Sequence, residues 1–500
     1  MNLEEFLNKQ VEKYGSKIFL YGVDAHVSYE DFKNITSRMA YGFRRMGIRT
    51  GDRIAVLHPN HTETLLAYYA IIKAGGVVVP VNSLYTAPEI QFILNNSGAR
   101  ALIASEEFEE AISEIKSNLT TVEQIVLRKN GSTLEEAIEE IVDHPLKIAE
   151  PTKNIDLNSP AFIVYTSGTT GNPKGVILSH GNFCFVGPNM AQTYGLRDDD
   201  IGIAVLPLCH IFAIATPFLG SLSSGGSVVI LDRFKPEKIF DAIDRYKVTW
   251  FPGVPTMFIY LLSSIHETDR NLSTLRMGVS GGASLPLDIL EKWEGESNAS
   301  ILEVYGLTES TGLVTANPAY GIRKAGSIGI NAAGITAKVI NSDGTEAIVG
   351  DVGELIFKGP NAMKGYFGLP KETAEKIQNG WVYTGDHAYR DTDGYFYIAG
   401  RKNDLIISGG YNIYPREIEE VIQSHEAVQE VAVIGIKDAK KGEIPKAYIS
   451  LKNNMIVTEE DIANFCRKKL ARYKIPIIEF MADLPKNQVG KIIKKLLPKN

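Results

Sequence analysis

The chain has 500 residues, 44% of them hydrophobic, 9% aromatic and 22% charged, which are ordinary globular values over a length suited to about three domains. A chain this long buries a large core unaided, which excludes intrinsic disorder, a collagen-like fibre and a small disulfide scaffold. With 52 Lys/Arg against 59 Asp/Glu the net charge is −7, which argues against nucleic acid as a partner. The three widely spaced cysteines, Cys184, Cys209 and Cys466, point to reduced thiols and a cytoplasmic location.

The opening Met1-Asn2-Leu3-Glu4-Glu5 has neither a basic start nor an apolar run, so no secretory signal is expected. Ile54–Leu57 and Val77–Val81 read as buried strands, with a helix near Glu63–Lys73 between them. Residues 101–150 are acid-rich and read as a solvated helical surface without chemistry. Further strands are predicted at Ala161–Tyr165, Ile203–Leu206, Val228–Leu231 and Thr249–Phe251; apolar strands alternating with helices indicate an α/β fold on parallel sheet. Gly202–Leu231 carries no Asp, Glu, Lys or Arg and is long enough to span a bilayer. Its prolines, glycines and serines read instead as strand, turn, helix, turn, strand in a buried core. After Asp343-Gly344 shorter strands follow, at Gly353–Lys358 and Tyr395–Ala399. The tail has helix signals at Pro415–Gln423 and Glu459–Arg472, strands at Val431–Ile434 and Ala447–Leu451, and a basic end, from which a small basic domain on a large acidic one is expected.

The richest segment is Tyr165-Thr166-Ser167-Gly168-Thr169-Thr170-Gly171-Asn172-Pro173-Lys174-Gly175. Its glycines free backbone N–H groups to face an anion, its hydroxyls donate, and its lysine adds charge, as a polyphosphate requires. It is not a Walker A loop, because the chain's one Gly-Lys pair, Gly490-Lys491, is followed by no Ser or Thr. No two glycines are spaced as G-x-G, so a dinucleotide fingerprint is absent.

This string resembles the signature of the adenylate-forming superfamily, which comprises acyl-CoA synthetases, luciferases and peptide-synthetase adenylation domains. Further motifs follow in that family's order: Ser280-Gly281-Gly282-Ala283, Tyr305-Gly306-Leu307-Thr308-Glu309, Tyr383-Thr384-Gly385-Asp386, Gly400-Arg401, Ser408-Gly409-Gly410-Tyr411-Asn412 and Gly490-Lys491. The resemblance implies a large domain, 1–401, of parallel and mixed sheets with helices plus a β-rich subdomain. A small mobile α+β domain, 402–500, would follow a hinge near Asn403, where the family usually has Asp or Lys. Asn tolerates unusual backbone angles and can serve there.

The implied chemistry also follows from charge. A carboxylate is inert to a thiol until its oxygen becomes a good leaving group, which attack on the α-phosphate of ATP achieves. Lys491 would stabilise the charge gathering in that step. Thr166, Ser167, Gly168, Thr169, Thr170 and Lys174 would hold the β- and γ-phosphates. Glu309 would ligate Mg2+, and Thr308 would meet the α-phosphate. Gly281, Gly282, Ala283, Tyr305 and Gly306 would receive adenine, with Asp386 and Arg401 on the ribose. His210 would stand beside the acyl carboxylate. Phe212, Ala213, Trp250, Phe251, Gly253 and Val254 would line an apolar pocket, where the absence of Arg or Lys disfavours a second carboxylate. Gly409 and Gly410 would admit the CoA thiol after the small domain rotates.

Taken alone, each residue also has an ordinary structural explanation: Lys491 as one surface lysine, Asp386 or Glu309 as a cap, His210 as a core histidine. Gly278-Val279-Ser280-Gly281-Gly282 also matches the G-x-S-x-G nucleophile elbow, which would make Ser280 an esterase nucleophile with Asp386 and His425 as partners. The resemblance favours an ATP-dependent acyl-CoA ligase acting on a medium- or long-chain fatty acid. An aryl-acid CoA ligase and a stand-alone adenylation enzyme loading a carrier protein are the alternatives. Peripheral membrane contact and a homodimer stay open.

Overall fold

The computed structural model describes the chain except residues 1, 23–24, 151, 153–154, 167–172, 266–271, 402–403, 409–410, 439–440, 453, 487–491 and 500, and the side chain of Asn412. The β-branched runs form two large sheets. The first has seven strands in the order Gly365–Tyr366, Lys174–Ser179, Pro160–Thr166, Val77–Val81, Arg53–Leu57, Ala101–Ser105, Gln124–Arg128. Its last five strands are parallel, while Lys174–Ser179 and Gly365–Tyr366 join antiparallel. The helix Thr62–Ala74 between two of these strands is buried all round.

The second sheet has nine strands with a parallel centre: Ser300–Tyr305, Met277–Ser280, Trp250–Gly253, Ile201–Ala204, Ser227–Ile230, Ile18–Tyr21. The uncharged stretch Gly202–Leu231 is buried here as expected. It supplies two neighbouring parallel strands and, between them, helical turns from Ile211 to Ser224 that include a π-helical segment, Ile214–Leu219. Among the described residues no helix is long and apolar enough to cross a membrane.

A five-stranded antiparallel sheet follows, built on Thr336–Ile340, Gly353–Lys358 and Trp381–Arg390, with Phe396–Arg401 pairing the long strand so that Asp386 lies opposite Arg401. The last sheet, from Ile406 to Phe480, is covered by the helices Pro415–Gln423 and Glu459–Arg467. Arg416, at the start of the first of these helices, donates to the carbonyls of Ile398 (2.6 Å) and Gly326 (3.4 Å) and so fastens this sheet's layer to the rest.

Two expectations need correction. Residues 101–150 are not simply helical surface: Ala101–Ser105 is a fully buried strand and Gln124–Arg128 the sheet's edge. Acidic helices on either side of these short apolar runs dominate the composition and conceal them. The predicted helix Glu459–Arg472 stops at Arg467, and Arg472–Lys474 forms a separate 3-10 turn, although the intervening Lys-Lys-Leu-Ala holds no breaker.

Candidate active site

The strands Pro160–Thr166 and Lys174–Ser179 form a hairpin whose register sets Thr166 opposite Lys174. The phosphate-loop residues Ser167, Gly168, Thr169 and Thr170 lie outside the described residues. Lys174 places its ammonium 5.3 Å from the ring centre of Tyr366, on the next strand. The hydroxyl of Tyr366 donates to Glu309 Oε1 at 2.6 Å. Burial raises the Tyr366 phenol far above its usual value and the Glu309 charge adds to that, so it stays a donor. Thr308 and Glu309 sit in the 3-10 turn Thr308–Ser310. Gly306 permits that turn to close, since a Cβ there would fall 2.2 Å from the Gly312 carbonyl oxygen.

A second cluster stands on the antiparallel sheet. Asp386, 5% exposed, accepts from Arg401 Nε at 2.8 Å on one oxygen and from the Tyr305 hydroxyl at 2.5 Å on the other. Burial drives the Tyr305 phenol well up, and the Asp386 charge drives it further, so it too remains a donor. The sequence offered Tyr305 as an adenine platform; its hydroxyl also orients the carboxylate that would hold ribose.

The loop Ser280–Ala283 lies against an apolar region. A Cβ on Gly281 would meet the Phe212 ring at 3.1 Å, and one on Gly282 would meet Val254 at 3.5 Å, so two predicted pocket residues touch the predicted adenine loop. Burial lowers the His210 pKa to about 4, leaving a neutral imidazole at physiological pH. Ala213, Trp250 and Phe251 are fully buried. Trp250 packs where a Cβ on Gly202 would lie, and Phe251 packs on Phe258 and beside Gly253. Lys491, Asn403, Gly409 and Gly410 lie outside the described residues.

The esterase arrangement is not formed. Ser280 Oγ is buried without a hydrogen-bond partner among the described residues, Asp386 is engaged by Tyr305 and Arg401, and His425 packs edge-on to Phe465 and accepts from the Ala427 amide.

Three participants escaped the sequence reading. Tyr366 and Lys376, whose ammonium donates to the Thr384 carbonyl two residues before Asp386, have no local signal, because their partners are distant in the chain or in backbone. Glu303, 4% exposed, accepts from the amides of Gly326 (2.9 Å) and Leu285 (3.4 Å), tying the end of the adenine loop to β-structure. Burial raises its carboxyl to about 7. One charge inside the apolar strand Ser300–Tyr305 was its available sign.

Residues 7–367 match the family model described as AMP-binding enzyme, and residues 417–491 match the model for the AMP-binding enzyme C-terminal domain. The chain belongs to the AMP-binding enzyme family. Within it, the chain is 33% identical to a long-chain-fatty-acid–CoA ligase of Bacillus subtilis, over 99% of this chain and 94% of that one. A feruloyl-CoA synthase of an Amycolatopsis species is 34% identical, over 94% and 92%. Among solved structures, the anthranilate CoA ligase AuaEII in complex with anthranoyl-AMP superposes with a TM-score of 0.92 at 28% identity, covering 98% of this chain and 95% of that one.

Proposed function

We propose that the protein is an AMP-forming acyl-CoA ligase. A carboxylate attacks the α-phosphate of ATP, giving acyl-AMP and pyrophosphate; the CoA thiol then attacks the acyl carbonyl, and AMP leaves. The observation that carries this reading is the pair of clusters, a hydrogen-bonded carboxylate of a kind suited to ribose and a carboxylate–phenol–ammonium group suited to phosphates.

Each residue's task follows from its surroundings. Asp386 accepts from the ribose hydroxyls while Tyr305 and Arg401 hold its orientation, and the Tyr305 ring meets adenine. Lys174 and Thr166, with Ser167, Gly168, Thr169 and Thr170, receive the β- and γ-phosphates, and Thr308 donates to the α-phosphate. Glu309 has one oxygen taken by Tyr366 and its second without a partner among the described residues, which suits Mg2+ held by one carboxylate and the substrate's phosphates. Bound there, Mg2+ would neutralise phosphate charge as pyrophosphate departs. His210, neutral at working pH, can hydrogen-bond the acyl carboxylate without pairing with it as an ion.

The division into 1–401 and 402–500 is part of the proposal. The strand Phe396–Arg401 ends where the hinge near Asn403 would begin. Rotation there would exchange Lys491, in place for adenylation, for Gly409-Gly410, in place for thioester formation. The apolar wall of Phe212 and Val254 and the relatives' names support a medium- or long-chain fatty acid, with an aryl acid second. A cytoplasmic setting suits three free cysteines, two with thiol pKa values pushed up to about 12 and one to about 11 by burial.

Pyrophosphate release measured across aliphatic and aromatic acids, with and without CoA, tests this reading. Release that CoA accelerates, peaking at one acyl class, is the expected result. Release indifferent to CoA would remove the acceptor and favour a carrier protein; no ATP-dependent release with any acid would overturn the proposal.

A further inference from the structure

Lys376 ends the helix Pro370–Lys376. On one side this helix holds the strand Gly365–Tyr366, since Thr373 Oγ1 accepts from the Tyr366 amide at 2.8 Å. On the other, the chain turns through Ile377–Gln378, which pairs antiparallel with Trp381–Arg390. Lys376 is therefore seated between the strand that brings Tyr366 to Glu309 and the strand that carries Asp386. Its Nζ donates to the Thr384 carbonyl oxygen at 3.0 Å, two residues before Asp386, and has no other partner among the described residues. An ammonium has three protons to give, and one is used.

Burial depresses this lysine's pKa, while the carboxylates of Glu309 and then Asp386 act to raise it and Arg401 opposes them. The ammonium thus lies in the field of both ends of the candidate nucleotide site. Beside its anchor the floor is open: a Cβ on Gly385 would meet nothing within 4 Å. Pinning the Thr384 carbonyl uses one of the lysine's protons, and the field of the two carboxylates favours the charged form that a phosphate would need.

We infer that Lys376 is a resident cation for the phosphate of the bound nucleotide, held between the ribose carboxylate and Glu309 and donating to an α-phosphate oxygen. The inference rests on the proposed nucleotide site. Lys491 belongs to the part proposed to rotate, whereas Lys376 stays with Asp386 in both half-reactions. It would keep the single negative charge of acyl-AMP paired while the small domain turns.

Titration calorimetry of the full chain, as wild type, Lys376→Met and Lys376→Arg, with AMP and with adenosine, tests it. The expected result is that Lys376→Met weakens AMP binding by about tenfold or more, the usual scale for a hydrogen bond between charged groups. Adenosine affinity should stay within about twofold of wild type, and Lys376→Arg should restore most of the AMP affinity. Equal weakening of both ligands would mean that Lys376 only positions Thr384 and Asp386, and an unchanged AMP affinity would remove it from the site; either result overturns the inference. A wild type that binds neither AMP nor adenosine would instead overturn the nucleotide site itself.

Discussion

Replacing Tyr366 with Phe removes one oxygen atom and tests how Glu309 is held. The ring is 8% exposed and remains beneath Lys174, so packing and the cation–π contact survive. What is lost is the 2.6 Å hydrogen bond to Glu309 Oε1. A hydrogen bond to a carboxylate contributes about 1.5–3 kcal/mol, which corresponds to roughly 10- to 100-fold in an equilibrium constant. If that bond orients Glu309 toward Mg2+, the loss should fall on metal dependence, where orienting partners have effects of about this size. Pyrophosphate release followed against Mg2+ concentration should show half-saturation moved upward by about tenfold or more. The KM for the carboxylic acid should be unchanged, and the melting temperature should move little. An unchanged Mg2+ dependence alongside a fall in turnover would refute the assignment of Glu309 as a metal ligand oriented by Tyr366.

Lys491→Ala should abolish adenylation yet leave thioester formation from supplied acyl-AMP largely intact; loss of both half-reactions in a folded variant would refute the two-conformation scheme. Asp200 is buried and paired with Arg276, with Thr249 and the Arg197 amide also donating to it. Asp200→Asn should therefore cost about 3 kcal/mol by leaving the guanidinium without its counter-charge, and a loss below about 1 kcal/mol in urea denaturation would contradict that. Burial depresses His58 to about 3, and His180 and His210 to about 4. Unfolding therefore takes up protons at these sites, and their contribution to stability is full above about pH 6.5 and falls as pH drops toward 4. Glu303, raised to about 7, acts oppositely: its contribution is full below about pH 4.5 and lost as pH rises through 7. Glu4 and Glu430, also raised by burial, act with Glu303, and the three more strongly shifted histidines should still leave stability falling on acidification near pH 6. Denaturant titrations at pH 5.5 and 6.5 that show the opposite slope would refute this balance.

What the sequence disclosed was mostly local. Val77–Val81 and Gly353–Lys358 were found with their observed bounds because short apolar runs between turn residues need no distant information. The uncharged Gly202–Leu231 was read correctly because its prolines and glycines interrupt any long helix. Composition misled in residues 101–150, where charge counts averaged over helices hid two short strands. At the site, Asp386, Arg401, Tyr305, Lys174 and Glu309 were each named from motifs, and the described structure brings them into two clusters. Their partners were not legible: Tyr366 lies 57 residues from Glu309, and Lys376 bonds to a backbone carbonyl, which no side-chain pattern encodes. Glu303 was visible as a charge within an apolar strand, but its role depends on two amides supplied by other loops.

The pairing of Thr166 with Lys174 constrains how this chain can vary. Strand side chains alternate between the two faces of a sheet, so a strand displaced by one position presents the opposite set. A one-residue slip of Lys174–Ser179 against Pro160–Thr166 would turn Lys174 away from Tyr366, whereas a change in the connection that leaves this pairing intact would not. What is constrained is thus the register of the two strands. The hairpin acts as a ruler: selection would remove descendants of this gene in which the two strands pair one position out of step.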